Sequence, residues 1–185
     1  MMSLNDEYGT LTDARTLRIE RSLPGPVERV WSFLTDSDKR SLWLAAGDMT
    51  PAEGARVELV WRNATLNRPG DTPPQGRSDY SGEHRLVCVI TEFDPPHRLS
   101  FTWGEPGPDR SEVTFELEPA GERVHLTLTH RQLPNAEFRL GVSSGWHAHL
   151  AILAARLEAR EVESFWSMHQ RLEGEYRTRI GDQPI

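Results

Sequence analysis

The sequence predicts an α+β domain in which a curved antiparallel sheet grips one long C-terminal helix. Three observations predict it: a first strand followed at once by two short helices, a run of alternating strands joined by short turns, and a terminal stretch with helical spacing. A sheet with one apolar face must be covered, and only the last helix is long enough to cover it. Where a twisted sheet diverges from the helix axis, this arrangement leaves room for an apolar cavity.

Taken in order, residues 1–14 are polar and read as a flexible N-terminal tail. TLRIERSL then places Leu17, Ile19, Arg21 and Leu23 on one side, a strand whose alternation is broken by the arginine. Pro24-Gly25-Pro26 ends it, and VERVWSFLT carries Val27, Val30, Trp31 and Leu34 at helical spacing. Asp36 or Ser37 caps a second short helix running through Leu44. ARVELVWR alternates cleanly, with Val57, Leu59 and Trp61 on one face. Asn63 to Ser81 is rich in Pro, Gly and Asp and reads as a long loop, of the kind that often serves as a lid or binding loop.

Four strands follow with short connections. HRLVCVITEF is apolar on both faces, so its inward side is left open. RLSFTW, EVTFEL and RVHLTLTH put Leu99, Phe101, Trp103, Val113, Phe115, Leu117, Val124, Leu126, Leu128 and His130 on one face. The final part is helical: Trp146, Leu150, Leu153 and Leu157 share a face, and SFWSMHQRLEGEYRTR repeats the pattern with Phe165, Trp166, His169, Leu172 and Tyr176. The reading is one domain over 15–160, with 161–185 a helical extension of it. That extension either packs back on its own domain or forms a homodimer interface.

Composition narrows the function classes. A net charge of −7 argues against non-specific affinity for nucleic acid or an anionic membrane. Lys39 is the only lysine among 21 basic residues, a bias without a functional account at this level. Cys88 is the only cysteine, which excludes an internal disulfide and a cysteine-based zinc site; it reads as a buried, inert thiol. The N-terminal residues lack a signal-peptide pattern, and no stretch reaches the ~20 apolar residues needed to span a bilayer, so the expected location is cytoplasmic without membrane insertion. His147 and His149 lie two apart on a helix and cannot share one metal; no metal and no cofactor is expected. Ser143 and Ser144 lack the spacing of a nucleophile elbow and read as the N-cap region of the long helix, with Gly145 at a close strand-to-helix turn.

The segments LPGPVERVWSFLTD, EFDPPHRLSFTW, LTLTH and GWHAHLAILAARL, in that order between about Thr16 and Tyr176, resemble the START-like (SRPBCC) superfamily. Within it they resemble the branch of Hsp-ninety ATPase-activator homologues, the AHSA-type proteins. The resemblance implies a helix-grip (START/Bet v-like) fold and a deep cavity for a small hydrophobic ligand. It does not imply one activity, since relatives include carriers, cyclases and hormone-binding proteins.

The candidate ligand-binding residues are Trp43, Trp61, Phe101, Trp103, Phe115, His130, Trp146 and Leu150. The plainer reading of the aromatic set is ordinary core; the functional one is a cavity wall that stacks on a ligand. His130 either fixes the strand end by a hydrogen bond, orients a ligand, or acts as a general acid/base. Three functions therefore stay open: binding of a small hydrophobic or aromatic ligand without redox or metal chemistry; a polyketide cyclase/aromatase- or hydrolase-like enzyme with His130 as catalytic candidate; and a protein-interaction or chaperone-associated module.

Overall fold

The computed structural model describes residues 4–71, 73, 82–107, 110–161, 163–181 and 183–184. Seven strands form one antiparallel sheet: β1 (Thr10–Asp13), β2 (Thr16–Pro24), β3 (Arg56–Trp61), β4 (His84–Asp94), β5 (Arg98–Trp103), β6 (Ser111–Ala120) and β7 (Arg123–Arg131). Their order in space is β1-β2-β7-β6-β5-β4-β3, so a meander of the last five is closed by the first strands alongside β7. The helices are α1 (Val27–Thr35), α2 (Ser37–Ser41), α3 (Ala136–Leu157) and α4 (Phe165–Ile180). The predicted α+β helix-grip architecture is what the chain adopts. No helix among the described residues is long and apolar enough to cross a membrane.

Alternation sets the inner face of the sheet. Leu17, Ile19 and Leu23 on β2 pair across with His130, Leu128 and Val124 on β7, and all six are at most 1% exposed. On β4, Cys88 and Ile90 are the buried positions, which settles the side that its sequence leaves open. Burial pushes the Cys88 thiol up to about 11, so it is a thiol rather than a thiolate near neutrality. The outer face is polar. Arg85 bridges Glu58 at 2.6 Å, and Arg98 reaches Glu92 at 2.7 Å and Glu116 at 2.9 Å. Such exposed pairs contribute about 0–1 kcal/mol each.

Three expectations are corrected. The first is the flexible tail over 1–14: Thr10–Asp13 form β1 on the edge of β2. The preceding residues are held to α4, since Gly9 N–H donates to the Tyr176 hydroxyl at 2.7 Å and the Arg179 guanidinium lies 3.8 Å over the Tyr8 ring. The second is the start of the long helix. It begins at Ala136, where the Asn135 side chain accepts from Phe138 N–H, so Ser143, Ser144 and Gly145 lie inside the helix. Both serines are fully buried and donate to carbonyls one turn back, Arg139 at 2.7 Å and Leu140 at 3.1 Å. The third is the second short helix, which Asp36 caps but which ends at Ser41 rather than Leu44. Of the expected long loop, Asn63–Leu66 form a 3-10 turn, while 72 and 74–81 lie outside the described residues.

Buried arginines hold the irregular segments. Arg40 is 2% exposed and donates through Nε to Ala45 O at 3.1 Å and through Nη1 to Leu34 O and Thr35 O at 3.0 and 3.1 Å, while Nη2 reaches Gly47 O. Gly47 is required there: its φ is +128°, and a Cβ would meet the Glu58 carbonyl oxygen at 2.1 Å. Burial lowers the Arg40 guanidinium to about 10, which still leaves it charged near neutrality. A lysine has one nitrogen and no fork, so it cannot reach these carbonyls together. Arg40→Lys is therefore expected to cost about 3 kcal/mol, read from the urea midpoint, because carbonyls are left without donors.

Helix α3 crosses the inner face of the sheet, and α4 packs along its other side. Phe165, Trp166, Met168, Leu172, Tyr176 and Ile180 of α4 are all buried. The apolar stripe of the last helix thus packs back on its own domain.

Candidate functional site

The inner face of β5 and β6 and the middle of α3 bring the predicted aromatic residues together. Leu99 faces Phe115, Phe101 faces Val113 and Trp103 faces Ser111 across the β5–β6 ladder. The Phe101 and Phe115 rings lie 6.2 Å apart, and Trp146 of α3 meets Phe115 edge-on at 5.7 Å. Trp103 touches Trp146 at 5.2 Å and Trp61 at 5.4 Å, and Trp43 reaches Phe115 at 6.3 Å. Trp43 donates its indole N–H to Phe33 O at 2.8 Å, which anchors it from the other side. Leu150, fully buried, follows one turn along α3 from Trp146.

These contacts join the rings into one cluster, edge to face at most contacts and tilted between Phe101 and Phe115. Among the described residues, a cavity of about 340 Å³ lies at the Trp103 end and opens to the surface. Trp103, Glu105, Arg110, Ser111, Pro134 and Phe138 line it. Of the predicted ligand-binding residues, Trp103 alone is in that lining. Phe138 and Pro134 sit at the start of α3, ahead of the segment that helical spacing marks, and Arg110 and Ser111 sit at the start of β6. The findable signal was Pro134-Asn135, a helix-start pair three residues before Phe138.

His130 lies immediately behind the lining. Its ring centroid is 5.4 Å from that of Trp103 and 6.1 Å from that of Phe138, and it is 0% exposed. Trp146 Nε1–H donates to His130 Nδ1 at 3.1 Å, which makes Nδ1 the acceptor and puts the proton of the neutral ring on Nε2. That Nε2–H is buried and has no hydrogen-bond partner among the described residues. A buried donor left unpaired costs about 1–3 kcal/mol. Burial pushes the His130 imidazole down to about 3, so it stays neutral near pH 7. A group so far from neutrality is a poor proton carrier there and a good fixed donor.

The other histidines are occupied differently. His149 Nδ1–H donates to Trp43 O at 2.6 Å and its ring stacks near Phe165 at 4.7 Å, tying α3 to the segment after α2 and to α4. His147 shares a hydrogen bond with the Tyr176 hydroxyl at 3.1 Å. Burial pushes both down, His147 to about 3 and His149 to about 4. His125 pairs with Glu20 at 2.9 Å on the outer face, and His97 meets Leu117 O at 3.1 Å. Among the described residues no three His, Cys, Asp or Glu side chains converge to hold a metal ion.

Comparison with known proteins agrees with this architecture. The family model described as Activator of Hsp90 ATPase homolog 1-like protein matches residues 24–158. A protein of Bordetella parapertussis, solved in solution by NMR, is 38% identical with a TM-score of 0.81, over 99% of this chain and 95% of that one. CalU16 from Micromonospora echinospora is 21% identical with a TM-score of 0.64, over 92% of this chain and 93% of that one. A conserved protein of unknown function from Enterococcus faecalis is 16% identical with a TM-score of 0.67, over 97% and 93%. The last two show the shared fold alone. No curated protein matches the chain. The match over 24–158 and the relative at 38% identity place the chain in the Activator of Hsp90 ATPase homolog 1-like family, the AHSA-type branch of the START-like superfamily that its segments resemble.

Proposed function

We propose that the protein binds a small, largely apolar molecule carrying a hydrogen-bond acceptor, seated at the Trp103–Phe138 cavity with His130 Nε2–H as its polar anchor. The observation that carries this reading is the unpartnered, fully buried donor directly behind the two rings of the cavity wall. Binding sites of this kind combine apolar walls with few, well-placed polar groups, and ~300 Å³ is the lower end of their usual volume. A ligand that enters between Trp103 and Phe138 and offers a carbonyl or ether oxygen gives Nε2–H the partner it lacks, and so turns a cost in the free protein into affinity.

The same geometry weighs against an enzyme that uses His130 as general acid or base, because burial holds the ring near 3 and no carboxylate among the described residues lies beside it to raise it. A cyclase-like reading must then rest on the shape of the site rather than on proton transfer by this residue.

The test uses two probes that differ in one acceptor, 2-acetylnaphthalene and 2-ethylnaphthalene, followed by tryptophan quenching. The wild type is expected to bind the ketone about tenfold more tightly, and His130→Phe to remove that preference while the ring shape is kept. Near-UV circular dichroism of the variant checks its packing. Equal affinities for the two probes in the wild type, or no binding of either, would overturn the proposal.

A further inference from the structure

The mouth of the cavity has a charge character that goes beyond a generic apolar site. Its charged lining side chains are Glu105 and Arg110. The Glu105 carboxylate is already engaged by Arg56 from the outer face of the sheet. Arg110 is different from the arginines of that face. Arg56, Arg85, Arg98 and Arg131 each hold a carboxylate, whereas among the described residues none pairs with Arg110. Arg110 is exposed and precedes Ser111, which is 4% exposed and stands opposite Trp103, so the backbone that carries the cation is held next to the wall ring's partner.

A second feature has the same sign. Pro134 and Phe138, also in the lining, bracket the N-terminus of α3, a helix of 22 residues. Its positive end therefore borders the cavity. Glu137, the acid of that first turn, is exposed and is not part of the lining. The chain carries a net charge of −7, so this positive rim is a local feature against an acidic background.

We propose that the natural ligand is an organic monoanion, an aromatic or similarly flat apolar acid whose carboxylate meets Arg110 at the rim while its body lies on Trp103 and Phe138. This rests on the binding reading above and adds the substrate class. A single guanidinium suits the two oxygens of a carboxylate, which it meets through parallel N–H donors. The acceptor that His130 needs is then a second polar group at the far end of the molecule, such as a ketone. The predicted ligand is thus polar at both tips and apolar between them.

The experiment compares 6-acetyl-2-naphthoate with 2-acetylnaphthalene, which differ only in the carboxylate. At low salt, about 50 mM, the wild type is expected to bind the acid about tenfold more tightly, with the advantage shrinking as salt rises. Arg110→Gln is expected to erase the difference between the two probes. Because the readout is a ratio within one protein, a change in the variant's stability cancels. Equal binding of both probes by the wild type overturns the anion assignment and leaves the apolar site standing. A preference that survives Arg110→Gln overturns the assignment of the carboxylate to that residue. No binding of either probe overturns both readings.

Discussion

Acidifying the protein to about pH 5 is expected to lower its folding stability by about 6 kcal/mol, through three buried imidazoles. His130 and His147 are pushed down to about 3 and His149 to about 4, from an ordinary value of 6.5, chiefly because burial penalises the charged ring. Arg21, Arg171 and Arg179 add to the effect at His147. The unfolded chain takes up a proton at each site as pH falls through about 6.5, and the folded chain does not until it nears 3 to 4. The stabilisation is complete above the unfolded value and is lost progressively below it. At about pH 5 each site contributes a loss of ~2 kcal/mol, and the three together approach a slope of about 4 kcal/mol per pH unit. Urea denaturation at a series of pH values measures this directly. Replacing His130 by Gln, which does not titrate, is expected to reduce the slope to about 3 kcal/mol per unit. A stability profile that is flat from pH 7 to about 5 would show that these rings are charged or solvated in the fold.

The larger effect is expected from removing α4. Its six buried side chains, Phe165, Trp166, Met168, Leu172, Tyr176 and Ile180, are each at most 6% exposed. At about 1.5–3 kcal/mol for each fully buried large side chain, their removal forfeits roughly 9–18 kcal/mol as an upper estimate. A domain of this size has about 5–15 kcal/mol in total. The helix is also tied at both ends: Trp166 N–H donates to Asn67 Oδ1 at 2.9 Å, and Arg139 donates to Ile180 O at 3.2 Å. A chain ending at residue 160 is therefore expected to lose its cooperative unfolding transition and to scatter light at micromolar concentration. The milder Trp166→Ala is expected to cost about 3–5 kcal/mol. A truncated chain that melts like the whole one would mean that α4 is an accessory rather than a layer of the core.

The fold was legible because alternation and helical spacing are local. Leu17, Ile19 and Leu23 announce the inner face of β2 by their period of two, and Asp36 marks a helix start by residue type. The start of α3 was harder to see. A helix between two layers is buried on most of its sides, so Ala136–Leu157 shows no single stripe over its whole length, and spacing marks only the part from Trp146 onward. The polar run Ser143-Ser144-Gly145 inside it imitates a boundary. Those serines are tolerated because they bond back to their own helix. The edge strand Thr10–Asp13 was missed for the opposite reason, having too few apolar residues to alternate.

The candidate site divides in the same way. That Phe101, Trp103 and Phe115 share a face follows from their spacing, and the structure places them in one cluster with Trp146. Whether rings on a shared face leave a void between them depends on the volumes of residues distant in sequence, which periodicity does not encode. Arg110 and Phe138 enter the lining through the β5–β6 connection and the first turn of α3, outside the segments that alternation and helical spacing mark. The proton position on His130 needed the contact from Trp146, a residue sixteen positions away and on a different element.

The same arginine chemistry accounts for part of the composition. Arg40 serves four carbonyls, and Arg139, 1% exposed, donates to Ala14 O at 2.7 Å as well as to Ile180 O. Neither role passes to lysine, so at these positions the preference for arginine follows from hydrogen-bond geometry.

The chain of indoles at the site has an optical consequence. Trp61, Trp103 and Trp146 are in edge-to-face contact in series, with Trp103 between the other two. Chromophores this close exchange excitation, so their near-ultraviolet transitions couple and respond as one chiral array rather than as three independent rings. The sign and shape of that coupled band depend on the angles between the rings, 65° on one side of Trp103 and 61° on the other. The middle ring is also the one that lines the cavity, so any occupant that turns it changes both couplings at once. The protein thus carries its own spectroscopic reporter at the place where a ligand would enter.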